Sequence, residues 1–548
     1  MDPVEERKQK IILWLKDPLN LILLLVIIFG IGFRLYYFSI TTSQPLWWDE
    51  ADYMAYAKTL AGYPTDWKVT SQHNSLFPFA AGALFKIGLS DISIKFILEI
   101  IPSIALIFLT YHIVFLMYKN KSLAIISTIL MCVFWENIFY TMRFHLEAPA
   151  LLFGFLSIYV FWKGYERKEK FFGLNPKWAI PITVILVIIT YMIRRGYFLF
   201  GLFFLVYMLL TKDFRKLIKD KYNWFALIIA FALLYISEKY IFASGIDTVA
   251  STYYNPGPIT LLAFRVFWAF YGSVSTQFSP LLYVFFIGVF VLLVNIVLSF
   301  GYWKKDTSTK VRSDLFLFLT IAVTMAYFTF YQKRITDFGE PRWYYPMLLG
   351  TFVAISRATV SIGDYLKKYY KPLGIIFIVL LLGYGCYDQV THADFIIKNK
   401  IGSYQSVKDA GLFLKDISQE EDVISTRAET QTAYYSERRT VHPLGILDDY
   451  PIGSENATKV LQKIADNPNI NYFLVLFSEP GNPDWMGRIS YNAQGQAVSI
   501  EVPFMDTRID VSTGTQDIKQ TKTFEDVGIS LNLVTIKGDV FIYEVIRQ

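Results

Sequence analysis

Residues 19–53 read LNLILLLVIIFGIGFRLYYFSITTSQPLWWDEADY, an apolar run that ends in paired tryptophans and three carboxylates. The run carries one charge before its end, Arg34. It is long enough to cross a bilayer, which takes about 20 predominantly apolar residues. Trp47 and Trp48 suit the membrane–water boundary, where one ring edge is wet and the rest apolar. Asp49, Glu50 and Asp52 follow at once. As a helix start, the segment places Asp49 and Glu50 favourably in the first turn. As chemistry, it offers a general base at the membrane surface, where partial desolvation raises a carboxylate's pKa.

Working outward, apolar runs recur to about residue 388. The expected spans are 18–39, 100–118, 122–141, 147–163, 177–193, 196–211, 223–243, 281–300, 314–331, 343–360 and 373–388. The 548-residue chain is 54% hydrophobic and 18% aromatic, with mean hydropathy +0.37. A soluble domain is about 45–50% apolar, so a soluble multidomain enzyme is excluded. The N-terminus is charged (Glu5, Glu6, Arg7, Lys8, Lys10) and no small-residue cleavage site precedes Arg34, which implies a retained first span. Cys132 and Cys386, the only cysteines, both lie in apolar runs. Neither a disulfide framework nor a cysteine-based metal site is available to the polar parts.

The formal charge of +6 matters less than where it falls. Basic loops at the N-terminus, 119–121, 163–177, 212–221, 304–312 and 367–371 alternate correctly if all are cytoplasmic. The 77–89 run is short and interrupted by Lys86, so it is expected at the interface rather than across the bilayer. Segment 258–272, broken by Arg265, looks similar. The expectation is about 11 crossings, and up to about 13 if such segments penetrate. Residues 1–389 then form a transmembrane domain with a first outer loop at 40–99. Residues 390–548 form an extracytoplasmic α/β domain. Its expected helices are 404–417 and 455–465, and its expected strands 422–426, 471–477, 529–535 and 539–546.

The outer side collects ionisable residues. Arg143-Phe144-His145-Leu146-Glu147-Ala148-Pro149 puts Glu147 at the very start of an apolar helix, as a helix-end charge or as a functional carboxylate at membrane depth. His73-Asn74-Ser75-Leu76 and Arg342-Trp343-Tyr344-Tyr345-Pro346 share that side. Arg143, Arg194, Arg195, Arg265, Arg334 and Arg342 run against the positive-inside trend. Singly each reads as a headgroup contact or ion pair; together they suggest a shared anionic ligand, since guanidinium forks bind phosphate at two points. His73 and His145 alone do not make a zinc site, which needs three or four converging ligands. Asn456-Ala457-Thr458 is a glycosylation sequon of the kind that arises often by chance.

These motifs resemble the GT-C superfamily of polytopic glycosyltransferases, in the branch of protein O-mannosyltransferases and lipid A aminoarabinose transferases. Asp49-Glu50 is similar to that family's Asp-Glu motif, and His73-Asn74-Ser75-Leu76 stands in place of a His/Lys-Pro-Pro-Leu motif. Arg143 to Pro149 is similar to its Arg…Asp-x-Pro motif, and Arg342 to Pro346 to its late Arg-Tyr…Pro motif. Two departures are plain: Asn74 and Ser75 replace two prolines, and Glu147 replaces Asp. The resemblance implies a polyprenyl-phosphate sugar donor, dolichyl- or undecaprenyl-linked, and a hydroxyl acceptor on protein, glycan or lipid. It implies Asp49, Glu50 and Glu147 as catalytic residues, and Arg143, Arg342, Arg334, His73 and Arg265 as donor-phosphate ligands. Asp52, Tyr53 and Tyr345 would support the acceptor or the site. Metal stays open, with Asp49, Glu147 and His73 as the candidate ligands of a divalent ion. The implied setting is a prokaryotic cell membrane or the endoplasmic reticulum, with the N-terminus cytoplasmic, membrane lipids as partners and no nucleic acid. An oligosaccharyltransferase is set aside because Trp47-Trp48-Asp49 lies in the first loop rather than the soluble domain. A transporter or flippase and a non-catalytic scaffold are the readings from other classes.

Overall fold

The computed structural model describes residues 3–69, 74–242, 271–272, 274–300, 309–330, 341–443, 457–477, 483, 485–494 and 496–548. The chain divides into two compact units. The first comprises Met1–Thr42, Asn74–Leu76 and Lys95–Asn399; the second comprises Ser43–His73, Phe77–Ile94 and Lys400–Gln548.

The first unit is helical, and the protein is a multi-pass membrane protein. Among the described residues six helices are long and apolar enough to cross a bilayer: Pro18–Ile40, Asp91–Tyr118, Pro176–Ile193, Lys221–Phe242, Arg342–Lys367 and Lys371–Lys400. A seventh joins them if Lys121–Val133 and Trp135–Thr141, bent by 49°, count as one span. The sequence led us to expect about 11 crossings. Each expected stretch contains helix, but several are short or interrupted. Arg195–Thr211 and Leu282–Leu298 are shorter apolar helices, and Glu147–Val160 passes into a π-helical turn at Phe161–Glu166. Leu25, Ile28, Phe231 and Phe290 are exposed on these helices, as lipid-facing side chains are. Small residues let helices approach closely. A Cβ at Gly30 would lie 2.5 Å from Cys132 Sγ, and one at Gly288 would overlap the Ala354 carbonyl.

The second unit is α/β. Its main sheet has the order β2-β1-β3-β10-β9-β8, where β1 is Val423–Thr426, β2 Arg439–Val441, β3 Ile470–Leu476, β8 Thr521–Phe524, β9 Ile529–Lys537 and β10 Val540–Arg547. Strand β1 pairs in parallel with β2 and β3, and the β3-β10-β9-β8 side is antiparallel. Parallel neighbours need crossovers, and helices usually supply them. Glu429–Ser436 lies between β1 and β2, and Ala457–Asp466 precedes β3. In the latter helix Val460, Leu461 and Ile464 bury one stripe against Phe473, Phe541 and Tyr543. A separate antiparallel sheet is built from β4 (Arg488–Tyr491), β5 (Ala497–Val502), β6 (Thr507–Asp510) and β7 (Gln516–Asp517). The helices Trp48–Ala61 and Leu76–Lys86 of the first loop belong largely to this unit.

Candidate active site

In the membrane unit the Lys121–Val133 helix breaks at Phe134, and a second short helix leads to the turn that ends at Glu147. Glu147 opens the next helix, where the dipole favours a negative charge. Its Oε1 forms an ion pair with Arg194 Nη1 and lies 3.7 Å from Arg342 Nε. Its Oε2 lies 3.7 Å from His145 Nδ1. Arg342 Nη1 stands 3.0 Å from the same Nδ1. A guanidinium only donates, so Nδ1 accepts and this imidazole is neutral with its proton on Nε2. Its approach to Glu147 is therefore no ion pair.

Stacking fixes the same groups. The Arg342 guanidinium lies over the Tyr140 ring at 5.1 Å, and Tyr140 meets His145 edge-on at 4.9 Å. Arg143, only 1% exposed, lies 5.9 Å from the Phe139 ring centre. Arg194 is delivered by an extended residue between the Pro176–Ile193 helix and the Arg195–Phe198 turn. Buried Tyr197 and Tyr345 both lie within electrostatic range of Glu147 and of a second carboxylate, Glu136. Glu136 Oε2 accepts a 2.7 Å hydrogen bond from Gln277. Burying charge is costly unless it is paired. Here the guanidiniums of Arg194 and Arg342 flank Glu147, and forked donors of this kind match phosphate.

In the second unit, Asp49 and Glu50 occupy the first turn of the Trp48–Ala61 helix. Glu50 and Asp52 are buried and Asp49 is half-buried, so Asp49 is the most accessible of the three. Asp52 accepts a 2.6 Å hydrogen bond from Trp67 Nε1, and Tyr53 packs edge-on against Phe77. The helix is held along its length. Leu46 N donates to Tyr435 Oη (2.8 Å) and Trp48 Nε1 to Tyr404 Oη (2.8 Å). Lys58 Nζ donates to the Tyr434 carbonyl (3.0 Å) and to Glu437 (2.9 Å). Lys415 approaches Glu437 from the other side at 2.7 Å. Burial pushes the Glu437 carboxyl up, but Lys58 and Lys415 outweigh it and hold it below the usual range. Glu429 goes the other way: burial, reinforced by the charge of Asp52, lifts it to about 7.

The structure thus gathers Arg143, Glu147, Arg342 and Tyr345 in the membrane unit, and Asp49, Glu50, Asp52 and Tyr53 in the second. His73, Arg265 and Arg334, with the Asn456 of the sequon, lie outside the described residues. Glu136 does not stand out in the sequence, which reads Glu429 as part of a solvated charged face of the C-terminal domain; the structure withdraws most of it from solvent. Arg194 was noted only as an unusual outer arginine, and its pairing with Glu147 was not foreseen. Among the described residues no three His, Cys, Asp or Glu gather as a metal site. With Arg194, Arg342 and His145 about Glu147, the donor set there suits an anion better than a cation.

No family model and no curated protein matches the chain. Solved structures do match over most of its length. A structure of the Archaeoglobus fulgidus oligosaccharyltransferase AglB with an inhibitory peptide and a dolichol-phosphate aligns at TM-score 0.55 and 10% identity, over 88% of this chain and 74% of that one. The apo form of the A. fulgidus oligosaccharyltransferase aligns at 0.57 and 12%, over 88% and 74%. ArnT from Cupriavidus metallidurans bound to undecaprenyl phosphate aligns at 0.54 and 10%, over 95% and 97%. At this identity the likeness establishes the fold, and the fold does not separate the two kinds of enzyme.

Proposed function

We propose that this chain, whose fold is that of the GT-C glycosyltransferases, transfers a monosaccharide from a polyprenyl-phosphate donor to a hydroxyl acceptor at the extracytoplasmic face of the membrane. The observation that carries this reading is the set of Arg194, Arg342 and His145 about buried Glu147, with buried Arg143 in the same turn. Structural neighbours solved with dolichol-phosphate and with undecaprenyl phosphate support a lipid phosphate as its ligand.

In the proposed reaction Asp49 takes the proton of the acceptor hydroxyl as that oxygen attacks the anomeric carbon. The new C–O bond forms as the bond to the phosphate oxygen breaks on the opposite face. The polyprenyl phosphate leaves with the electron pair, and the anomeric configuration inverts, as in the single displacement of inverting glycosidases. Arg342 and Arg143 stabilise the charge that grows on the leaving phosphate. Glu147 positions Arg194 and Arg342 for that task. Asp49 fits the base because it is the least buried of Asp49, Glu50 and Asp52, so an acceptor can reach it. Glu50, Asp52 and Tyr53 support Asp49, Tyr345 stands near Glu147, and residues 390–548 recognise the acceptor.

Purified protein supplied with labelled polyprenyl-phosphate sugars is the test. The reading predicts covalent transfer from one or more monosaccharide donors. Transfer only from oligosaccharide donors would favour the oligosaccharyltransferase activity of the archaeal neighbours. Solute uptake into vesicles with no covalent transfer would favour a transporter.

A further inference from the structure

Arg34 is a fully buried charge in the Pro18–Ile40 span. Its Nε donates to Ser103 Oγ (2.7 Å), Nη1 to the carbonyls of Gly30 and Cys132 (both 3.1 Å), and Nη2 to the carbonyl of Met131 (3.0 Å). Two of these acceptors are peculiar to the helix break at Phe134. In an unbroken helix Met131 O would accept from Trp135 N, and Cys132 O from Glu136 N. Phe134, at φ −57° and ψ 102°, turns the chain and removes both partners. Orphaned carbonyls inside a membrane protein cost several kcal/mol each. The Arg34 guanidinium replaces the missing donors.

The other side of the break is closed as well. Trp135 N donates to Gln389 Oε1 (3.1 Å), Gln389 Nε2 to the Gln277 carbonyl (2.8 Å), and Gln277 Nε2 to Glu136 (2.7 Å). Ser103 Oγ, bound by Arg34, also lies within hydrogen-bond distance of Thr141 Oγ1 (3.1 Å), to which its own O–H can donate, and of Asn137 Nδ2 (3.4 Å) on the second half-helix. One guanidinium is therefore tied to both halves of the bent pair. The Gly30 backbone can reach Cys132 only because it lacks a side chain. The half-helix runs directly into the turn bearing Arg143, His145 and Glu147.

We infer that Arg34, together with Gln389, is a positioning residue: it locks the 49° bend and so sets where the Arg143–Glu147 turn presents its charges. The link to donor binding rests on the function proposed above; the link to the turn does not.

Two measurements keep these apart. Amide hydrogen exchange is followed in the wild type and in Arg34→Gln, Arg34→Lys, Gln389→Leu and Ser103→Ala, each purified as a monodisperse protein. Faster exchange in Arg34→Gln confined to peptides from Trp135 to Ala148, with peptides inside Lys121–Leu130 unchanged, supports the inference. Uniform change along the chain, or none, overturns it. Should Arg34→Gln fail to fold, Gln389→Leu and Ser103→Ala must show the same local pattern, since each removes only part of the lock.

Undecaprenyl phosphate is then titrated against the same proteins. Misplacing site groups by about 1 Å costs up to about 100-fold. The dissociation constant is expected to rise at least about tenfold in Arg34→Gln and less in Arg34→Lys, which keeps the charge, with stoichiometry unchanged. A loss of stoichiometry at constant affinity marks a merely structural role and overturns the link to the site. A wild type that binds no undecaprenyl phosphate refutes the donor reading, and the exchange data still decide the lock.

Discussion

Glu147 and Glu429 are both largely withdrawn from solvent, yet the two units treat them in opposite ways. Glu147 meets Arg194 and Arg342. Glu429 lies near another carboxylate, Asp52, and burial with that like charge lifts it to about 7. A carboxylate between two guanidiniums fixes where their remaining N–H groups point. It is suited to hold cations in place for an incoming anion. Glu429 keeps its proton toward pH 7, the range where acid–base chemistry is efficient. Under the proposed function, the contrast would separate anion binding, in the membrane unit, from proton handling, beside the first-loop helix.

The sharpest way to break that division is Asp49→Asn. Turnover should fall by about 100- to 10,000-fold, the range for losing a general base, with donor affinity retained. Transfer of labelled sugar measures it, and unchanged turnover would remove Asp49 from the reaction. Arg342→Ala comes next and should weaken polyprenyl-phosphate binding at least about tenfold, as expected when a charge partner of a phosphate is removed. Equal affinity in a direct titration would mean that the arginine cluster serves the fold alone.

A smaller effect is expected in the second unit. Lys58→Met removes the 2.9 Å pair with Glu437 but leaves Lys415 in place. A cost of about 1–3 kcal/mol follows, below the full penalty for an unpaired buried charge. Thermal melts should show it as a drop of several degrees, and a melt like wild type would mean that Lys415 suffices. Glu429→Gln should be the mildest change. The native pKa of Glu429, about 7, lies above its ordinary 4.5, so the native state binds the extra proton between these values. The stability this gives is complete below pH 4.5, declines as pH rises and is gone above about 7. The variant should therefore melt with a weaker dependence on pH in that window. An unaltered profile would place Glu429 in ordinary solvent.

The elements with strong periodicity were legible in the sequence. The strand expected at 471–477 is Ile470–Leu476, and the helix expected at 404–417 is Gln405–Ile417. Every expected span is helical for the same reason: apolar runs of that length have few other forms in a bilayer. The four-stranded β4–β7 sheet escaped because its strands are short, partly exposed and weakly alternating. The 49° bend escaped because Phe134 and Trp135 are as apolar as their neighbours, and hydropathy is blind to backbone direction. In the candidate site, Asp49, Arg143, Glu147 and Arg342 stood out as charges at span ends. Glu136 was hidden inside a run read as one span. The pairing of Arg194 with Glu147 joins residues 47 positions apart, which spacing alone does not reveal.

The lock at Arg34 also bears on how the chain enters its membrane. Arg34 is synthesised 97 residues before Met131, one of its acceptors. An arginine at the centre of an inserting helix costs about 2.5–3.5 kcal/mol on the insertion scale; Arg34 lies six residues from the end of a span of mean hydropathy 2.3, where the cost is smaller. The nascent first span therefore meets lipid with a guanidinium whose carbonyl partners have not yet left the ribosome. It is expected to linger beside the translocon until residues 131–132 emerge, so that the order of translation becomes part of the assembly of the bent pair.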